Sequence, residues 1–192
     1  MNETDAESVF RALEHAFASS EGMAYLGEDV TMIQHQLQAG ALASDNGAPD
    51  VLVVASLLHD VGHMTGHLVG ERDASSALAE ATDAHHDATG AGWLAQWFGP
   101  DVTEPVRLHV AAKRFLVASE PDYAAQLSPA SAHTLQLQGG PMSPDEAAAF
   151  EANPHSRAAV ALRRFDEAAK DASVEAPPLS AYRQRIRALL VS

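Results

Sequence analysis

The stretch Ser56-Leu57-Leu58-His59-Asp60-Val61-Gly62-His63 is the part of the sequence on which the predicted fold depends. The apolar run from Val51 to Leu58 has the composition of a buried helix, and it ends in His59 and Asp60. Burial of an imidazole and a carboxylate is costly unless each group has a partner. A metal ion is the obvious partner, so we expect further ligands elsewhere in the chain.

The composition favours closely packed helices and excludes several classes of protein. Hydrophobic residues make up 46% of the 192 residues and aromatic residues only 6%, while alanine is abundant. The absence of cysteine excludes disulfides and thiolate chemistry. The formal net charge of −14 argues against binding to nucleic acid, because an acidic surface repels phosphate backbones.

The sequence predicts a soluble, cytoplasmic protein without a membrane partner. The first residues, Met1 to Asp5, are acidic and lack the basic region and apolar run of a secretory signal. No apolar stretch approaches the length needed to cross a bilayer. Nothing in the sequence indicates an oligomeric state.

Hydrophobic periodicity and capping residues predict helices along the whole chain, without internal repeats or a domain boundary. We therefore expect a single all-α domain over residues 1–192. The predicted helices cover residues 6–19, 31–46, 49–61, 85–98, 102–116, 123–128, 144–151, 154–170 and 182–191. Gly62 is expected to end the third helix, and Gly90 with Gly92 to mark a close approach between helices. Residues 64–83 are predicted to form a loop or a poorly packed turn of helix that can act as a lid, and residues 138–142 an irregular loop.

Histidine and aspartate residues recur inside these helices, and they are the candidate metal ligands. The set is His35, His59, Asp60, His86, His109 and Asp166. Imidazole nitrogens with carboxylates suit iron, manganese, zinc or nickel rather than calcium. One aspartate can bridge two ions through its two oxygens, so this set is large enough for two metals. A lone helical histidine is more often structural, so the prediction depends on the whole set.

The order of these residues resembles the HD-domain superfamily, an all-helical bundle with a central metal site whose members are mostly phosphohydrolases. Further stretches resemble one subgroup, the HD-domain diiron oxygenases of organophosphonate catabolism, which are relatives of myo-inositol oxygenase. The most specific stretches are His109-Val110-Ala111-Ala112-Lys113-Arg114 and Leu137-Gln138-Gly139-Gly140-Pro141-Met142. The resemblance covers roughly residues 21–190.

The resemblance implies a central dinuclear site with a mixed-valent Fe(II)/Fe(III) pair and O2 as cosubstrate. It assigns His35, His59 and Asp166 to one iron, His86 and His109 to the other, and Asp60 to a bridge between them. Only one of the adjacent His85 and His86 can be the ligand, and we choose His86 because the acidic residue and the Gly-Ala pair follow it.

The resemblance also implies a substrate, a 1-hydroxyalkylphosphonate with a 2-amino or 2-trimethylamino group. Cleavage of its C–P bond would release phosphate with glycine or glycine betaine. The implied substrate-binding residues are Tyr25, Glu28, His63, Lys113, Ser131 and Gln138. Asp60, His63 and Lys113 are the implied catalytic residues. The sequence does not decide between the two amines, although we expect the trimethylated compound to be accepted.

Two other functions are open on the residues alone. One is an HD phosphohydrolase that acts on a nucleotide or small phosphate ester, with metal-bound hydroxide as the nucleophile. The other is a non-catalytic metal-binding or regulatory module. The complete ligand set argues against the second function, and the phosphonate-side residues argue against the first.

Overall fold

A computed structural model describes residues 3–25, 27–66 and 85–191 of this chain. Within these ranges the chain forms ten α-helices and no strand, which confirms the all-α prediction. The helices are α1 (Glu3–Ser19), α2 (Met32–Asp45), α3 (Asp50–Leu58), α4 (Val61–Gly66), α5 (His86–Leu94), α6 (Pro100–Ser119), α7 (Pro129–Leu137), α8 (Pro144–Glu151), α9 (Ser156–Ala168) and α10 (Arg183–Ala188). Short 3₁₀ helices cover Ala124–Gln126 and Leu179–Tyr182.

Helix α3 lies at the centre of the bundle. Every residue from Leu52 to Leu58 is buried, as expected for a helix that is apolar on all its faces. Helices α2 and α6 pack against α3, and α9 packs against α6 and α2. The ends and inner faces of these four helices therefore surround the residues that follow α3.

The chain turns earlier than predicted at the end of α3. Helix α3 ends at Leu58, His59 and Asp60 form a turn, and Val61 begins α4. The prediction that Gly62 ends a helix is therefore wrong, because Gly62 lies inside α4. Residues 64–66 also belong to α4, which agrees with the helical alternative for the start of the segment 64–83. The remainder of that segment, residues 67–83, and its predicted role as a lid lie outside the described residues.

Helix α7 was not predicted, although its start carries a recognisable signal. The Ser128 hydroxyl accepts a hydrogen bond from the Ser131 backbone N–H, and Pro129 occupies the first turn. The same Ser-Pro start was correctly predicted for α8, where Ser143 caps the helix. The preceding segment, predicted as a helix over 123–128, is a single 3₁₀ turn.

Helices α4 and α5 approach each other closely at their glycines. A Cβ at Gly90 would lie 3.0 Å from the backbone nitrogen of Gly62, whereas a Cβ at Gly92 would meet no atom within 4 Å. The predicted close approach is therefore correct for Gly90 and wrong for Gly92. No helix in the described part of the chain is long and apolar enough to span a membrane.

Candidate metal centre and substrate cavity

The fold brings the six predicted metal ligands together at one buried point. His35 lies on α2, His59 and Asp60 in the turn after α3, His86 at the start of α5, His109 on α6 and Asp166 on α9. All six residues are buried, with no more than 6% of the surface of any of them exposed. Residues that are far apart in sequence thus form one polar cluster inside an apolar bundle.

His35 and His59 form the first histidine pair of this cluster, with their Nε2 atoms 3.1 Å apart. Their Nδ1 atoms lie 2.8 Å from the carbonyl oxygens of Ala169 and Ser56, respectively. A neutral ring in this position donates its Nδ1–H to the carbonyl, which leaves the Nε2 lone pair directed into the cluster. Asp166 Oδ1 lies 3.4 Å from His35 Nε2 and 3.7 Å from His59 Nε2.

His86 and His109 form a second pair with a similar separation between their Nε2 atoms. Their Nε2 atoms lie 3.0 Å apart, and His109 Nδ1 lies 2.7 Å from the carbonyl oxygen of Val106. The neighbouring His85 is exposed, so it is His86 and not His85 that pairs with His109. The ligand choice made between the two adjacent histidines therefore agrees with their positions.

Asp60 lies between the two histidine pairs and presents one oxygen to each. Its Oδ2 atom lies 3.5 Å from His35 Nε2 and 3.3 Å from His59 Nε2. Its Oδ1 atom lies 3.4 Å from His86 Nε2 and 3.5 Å from His109 Nε2. A carboxylate in this position can contact one ion through each oxygen.

The donor geometry fits two metal ions. Two ligand atoms that are each about 2.1 Å from one ion, at right angles, lie about 3 Å apart, which is close to the separations in both histidine pairs. Opposed Nε2 lone pairs repel each other unless a proton or a cation lies between them. Asp166 Oδ1 is buried and, among the described residues, has no hydrogen-bond partner. The nitrogen and oxygen donors, without sulfur, suit iron, manganese, zinc or nickel.

The electrostatics of the cluster also favour a cation. Burial alone would lower the pKa of His59, but the charges of Asp60 and Asp166 outweigh burial and raise it to about 10. Burial alone would raise the pKa of Asp166, yet the Arg163 guanidinium and His59 hold it well below its usual range. The carboxylates thus stay ionised and attract protons to His35 and His59 when no metal competes for them, whereas burial lowers the pKa of His109.

A cavity of about 130 Å³ opens beside the cluster. All six predicted substrate-binding residues line it: Tyr25, Glu28, His63, Lys113, Ser131 and Gln138. Four of the six predicted metal ligands also line it: Asp60, His86, His109 and Asp166. The volume is below the range typical of drug-sized ligands, so the cavity suits a small substrate better than a nucleotide.

The loop before α2 supplies two of these cavity residues. The Tyr25 ring is stacked on His35, with 4.0 Å between ring centroids and 14° between planes. Burial, together with the negative charges of Asp60 and Asp166, raises the pKa of the Tyr25 hydroxyl well above its usual value. Gly27 has a φ of 77°, and the Glu28 N–H donates to the Tyr25 carbonyl, so a tight turn directs Glu28 toward the cavity.

Polar side chains from α4, α6 and α7 form the rest of the predicted binding set. The His63 ring is stacked on His86 with 4.2 Å between centroids, and its ligand atom lies within 4.8 Å of those of Asp60 and His86. Lys113 is 5% exposed, and its Nζ donates to Thr134 Oγ1 over 2.8 Å. The Gln138 Oε1 atom is buried and has no hydrogen-bond partner among the described residues.

Four further polar residues near the cavity were not predicted from the sequence. They are Thr134 on α7 and Arg163, Glu167 and Lys170 on or just after α9. Arg163 is buried and donates to Asp166 Oδ2 and to Glu167 Oε2. The charged residues of this group recur with Asp166 at helical spacing, which is a pattern that could have revealed them.

Comparison with known proteins identifies relatives over most of the chain. A family model described as "HD domain" matches residues 12–161, which include five of the six predicted metal ligands but not Asp166. The match covers neither end of the chain, so a single domain over residues 1–192 stays a prediction.

Two curated relatives are phosphonate dioxygenases by name. One is the [1-hydroxy-2-(trimethylamino)ethyl]phosphonate dioxygenase (glycine-betaine-forming) of Leisingera caerulea, which is 45% identical over 153 residues. That alignment covers 80% of this chain and 76% of the relative. The other is the hydroxymethylphosphonate dioxygenase of Gimesia maris, which is 39% identical over 190 residues, or 99% of this chain and 92% of the relative.

Proposed function

Because the chain belongs to the HD-domain family, we propose that it is an iron- and O2-dependent oxygenase that cleaves the C–P bond of a small 1-hydroxyalkylphosphonate. The names of both relatives confirm the resemblance predicted from the sequence. The substrate class we propose is 1-hydroxy-2-aminoethylphosphonate or its trimethylated analogue. The overall reaction balances with one O2: the hydroxyalkylphosphonate becomes a carboxylate, here glycine or glycine betaine, together with phosphate.

The position of Asp60 is the single structural observation that carries the dinuclear centre of this proposal, and the names of the two relatives support the oxygenase reaction. One carboxylate oxygen faces His35 and His59 and the other faces His86 and His109, at 3.3–3.5 Å in each case. A site for one ion would not need a second histidine pair on the far side of a shared carboxylate. The arrangement therefore supports a dinuclear centre, with Asp166 as the additional ligand of the first ion.

The ligands suit several transition metals. Among these we propose iron, because the two relatives are named as dioxygenases. When bound, the two irons would activate O2, which is the oxidant of the overall reaction. His35, His59 and Asp166 would hold one iron, His86 and His109 the other, and Asp60 would bridge them. The side chain of His63 lies on the cavity side of His86, where we assign it to the substrate.

The protein's own part in this reaction is to bind and orient a dianion beside the cluster. Lys113 supplies a buried cation at the cavity wall, and Thr134 holds its Nζ in place. The buried Arg163 also lines the cavity, but its guanidinium is held by Asp166 and Glu167. Lys113, together with Ser131 and Gln138, can hydrogen-bond a phosphonate and offset part of its charge.

The hydrolase alternative is less well supported by the cavity. The base and sugar of a nucleotide are too large for a cavity of about 130 Å³ and would have to lie outside it. The acidic surface, with a net charge of −14, also disfavours a polyanionic partner. A small phosphate ester would still fit, and the test below separates this case.

The proposed function is tested by phosphate release with and without O2. The protein is purified anaerobically, supplied with iron, and given each of the two hydroxy-aminophosphonates and a phosphate monoester such as phosphoserine. We expect phosphate from the phosphonates only after O2 is admitted, and none from the ester. Release of phosphate from the ester without O2, and none from the phosphonates, would instead identify a hydrolase.

A further inference from the structure

Glu28 is the acidic side chain that lines the described part of the cavity without belonging to the His–Asp cluster. Its Oε1 atom accepts a hydrogen bond from the Ser128 hydroxyl at 2.5 Å, and it lies 3.0 Å from Lys170 Nζ. The two charged side chains are only 11% and 10% exposed. The negative charge that Glu28 presents to the cavity is therefore already opposed by a charge within the protein.

Lys170 sits behind the cavity wall, and several groups hold it there. Its Nζ donates to Ser131 Oγ at 2.8 Å and to Ser128 Oγ at 3.2 Å, and it lies 3.1 Å from Glu167 Oε1. Lys170 is not among the residues that line the cavity, whereas Ser131 and Glu28 are. A charge pair with little exposure is screened less by solvent than a surface pair, so Lys170 changes the field that a ligand meets at Glu28.

The two phosphonate dioxygenase relatives are named for substrates that differ in whether they carry a nitrogen. One is named for a substrate with a trimethylamino group and the other for hydroxymethylphosphonate, which has no nitrogen. A carboxylate in the cavity favours a cationic substrate less when a neighbouring cation of the protein already offsets its charge. Lys170, the partner of Glu28, can therefore influence the substrate preference.

We propose that Lys170 is a positioning residue that sets the preference of the cavity between cationic and uncharged substrate tails. By pairing with Glu28, it limits the advantage of a cationic nitrogen and keeps the cavity open to hydroxyalkylphosphonates without one. This inference rests on the proposed function for its choice of ligands. It concerns binding, so it can be measured without turnover.

The test compares Lys170→Met with Lys170→Arg in the iron-loaded protein under anaerobic conditions. The dissociation constants of [1-hydroxy-2-(trimethylamino)ethyl]phosphonate and hydroxymethylphosphonate are measured by calorimetry. We expect Lys170→Met to shift their ratio by about tenfold toward the cationic compound, because Glu28 then keeps its full charge. Lys170→Arg keeps the positive charge, so its ratio should stay within about twofold of the wild type.

A double-mutant cycle with Glu28→Gln shows whether the effect passes through Glu28. In the Glu28→Gln background, Lys170→Met should no longer change the ratio of dissociation constants. Lys170→Gln, which retains a hydrogen-bond donor for Ser131, serves as a second neutral variant should Lys170→Met fold poorly. It should shift the ratio in the same direction as Lys170→Met.

An unchanged ratio in a folded neutral variant with wild-type iron content would overturn the proposal. So would a shift that persists in full in the Glu28→Gln background, or a wild-type protein that binds neither compound. Binding of both compounds without O2-dependent phosphate release would overturn the proposed function. The ratio of the two dissociation constants would then still test whether Lys170 sets the preference between the two ligands. The two claims can thus fail separately.

Discussion

Gly62 lies directly against the backbone of His86, so that a Cβ added at Gly62 would be 2.0 Å from the His86 carbonyl oxygen. The same Cβ would be 2.8 Å from the His86 carbonyl carbon and 2.9 Å from the Gly90 nitrogen. These are backbone atoms, which cannot turn aside as a side chain can. The backbones of α4 and α5 are therefore in direct contact at Gly62. This contact lies next to two cluster residues, since α4 begins directly after Asp60 and α5 begins at His86.

We expect Gly62→Ala to destabilise the protein by about 1–3 kcal/mol or more, since the methyl group must separate two backbones. The displacement should also weaken metal binding at His86. Urea denaturation measures the first effect and metal content the second. Gly92→Ala is the matched control on α5, because nothing lies within 4 Å of its added Cβ. It should be neutral or stabilise the helix by about 0.5–1 kcal/mol, and equal losses in both variants would contradict the account.

Arg163→Met should reduce metal affinity, because Arg163 holds Asp166 Oδ2 while Oδ1 faces the histidines. Loss of an interaction that orients a ligand typically costs about 10–100-fold in affinity. Competition with a chromophoric chelator measures the change. Arg164→Met is the control, since the neighbouring Arg164 is 45% exposed at its side chain and pairs with Glu120 on the surface. Similar affinities for the two variants would show that Arg163 does not support the site.

Metal binding should release protons and should weaken as the solution becomes more acidic. The pKa of His59 is raised to about 10 in the metal-free protein, so its ring is protonated at neutral pH. An ion can bind Nε2 only after this proton leaves, and each proton displaced makes affinity rise about tenfold per pH unit up to that pKa. Calorimetry at pH 8 in two buffers with different ionisation enthalpies counts the protons. A count of zero would contradict the assignment of His59 as a ligand.

Lys113→Met should raise the KM for the phosphonate by about 10–100-fold, which corresponds to the loss of a charge-assisted hydrogen bond of about 1.5–3 kcal/mol. Initial rates of O2-dependent phosphate release provide the measurement. Arg107→Met, on the same helix, removes a cation whose side chain is 44% exposed and pairs with Glu104. The control should leave KM unchanged. A normal KM in Lys113→Met would remove Lys113 from the substrate site.

The sequence predicted the cluster better than it predicted the surroundings of the cluster. His59 and Asp60 end an apolar helical run, and that conflict with a hydrophobic core marks them as candidates without a structure, whereas Asp166 lies in a polar segment and was found through the order of the whole set and the family resemblance. Their separations, and the division of Asp60 between two histidine pairs, depend on how five helices pack. Local periodicity carries no information on that packing.

The residues that were missed share one physical reason. Arg163, Glu167 and Lys170 have the composition of a solvated helix face, but in the structure they contact Ser131 and Glu28 and are largely buried. Helix α7, which supplies Ser131, was itself not predicted, so no partner for these charges was apparent. The turn at His59 and Asp60 was missed because no glycine or proline stands at those positions, and the first helix-breaking residue of the stretch is Gly62.

The most direct test of the central claim is the iron content of the wild type and of Asp60→Ala, measured after anaerobic reconstitution and removal of loosely bound metal. We predict about two irons per chain in the wild type and fewer than about one in Asp60→Ala, because both ions lose their shared ligand. His85→Ala, which alters an exposed neighbour of His86, should keep both irons. Helical circular dichroism would verify that Asp60→Ala is folded. Two irons retained in a folded Asp60→Ala protein would contradict the bridging role of Asp60.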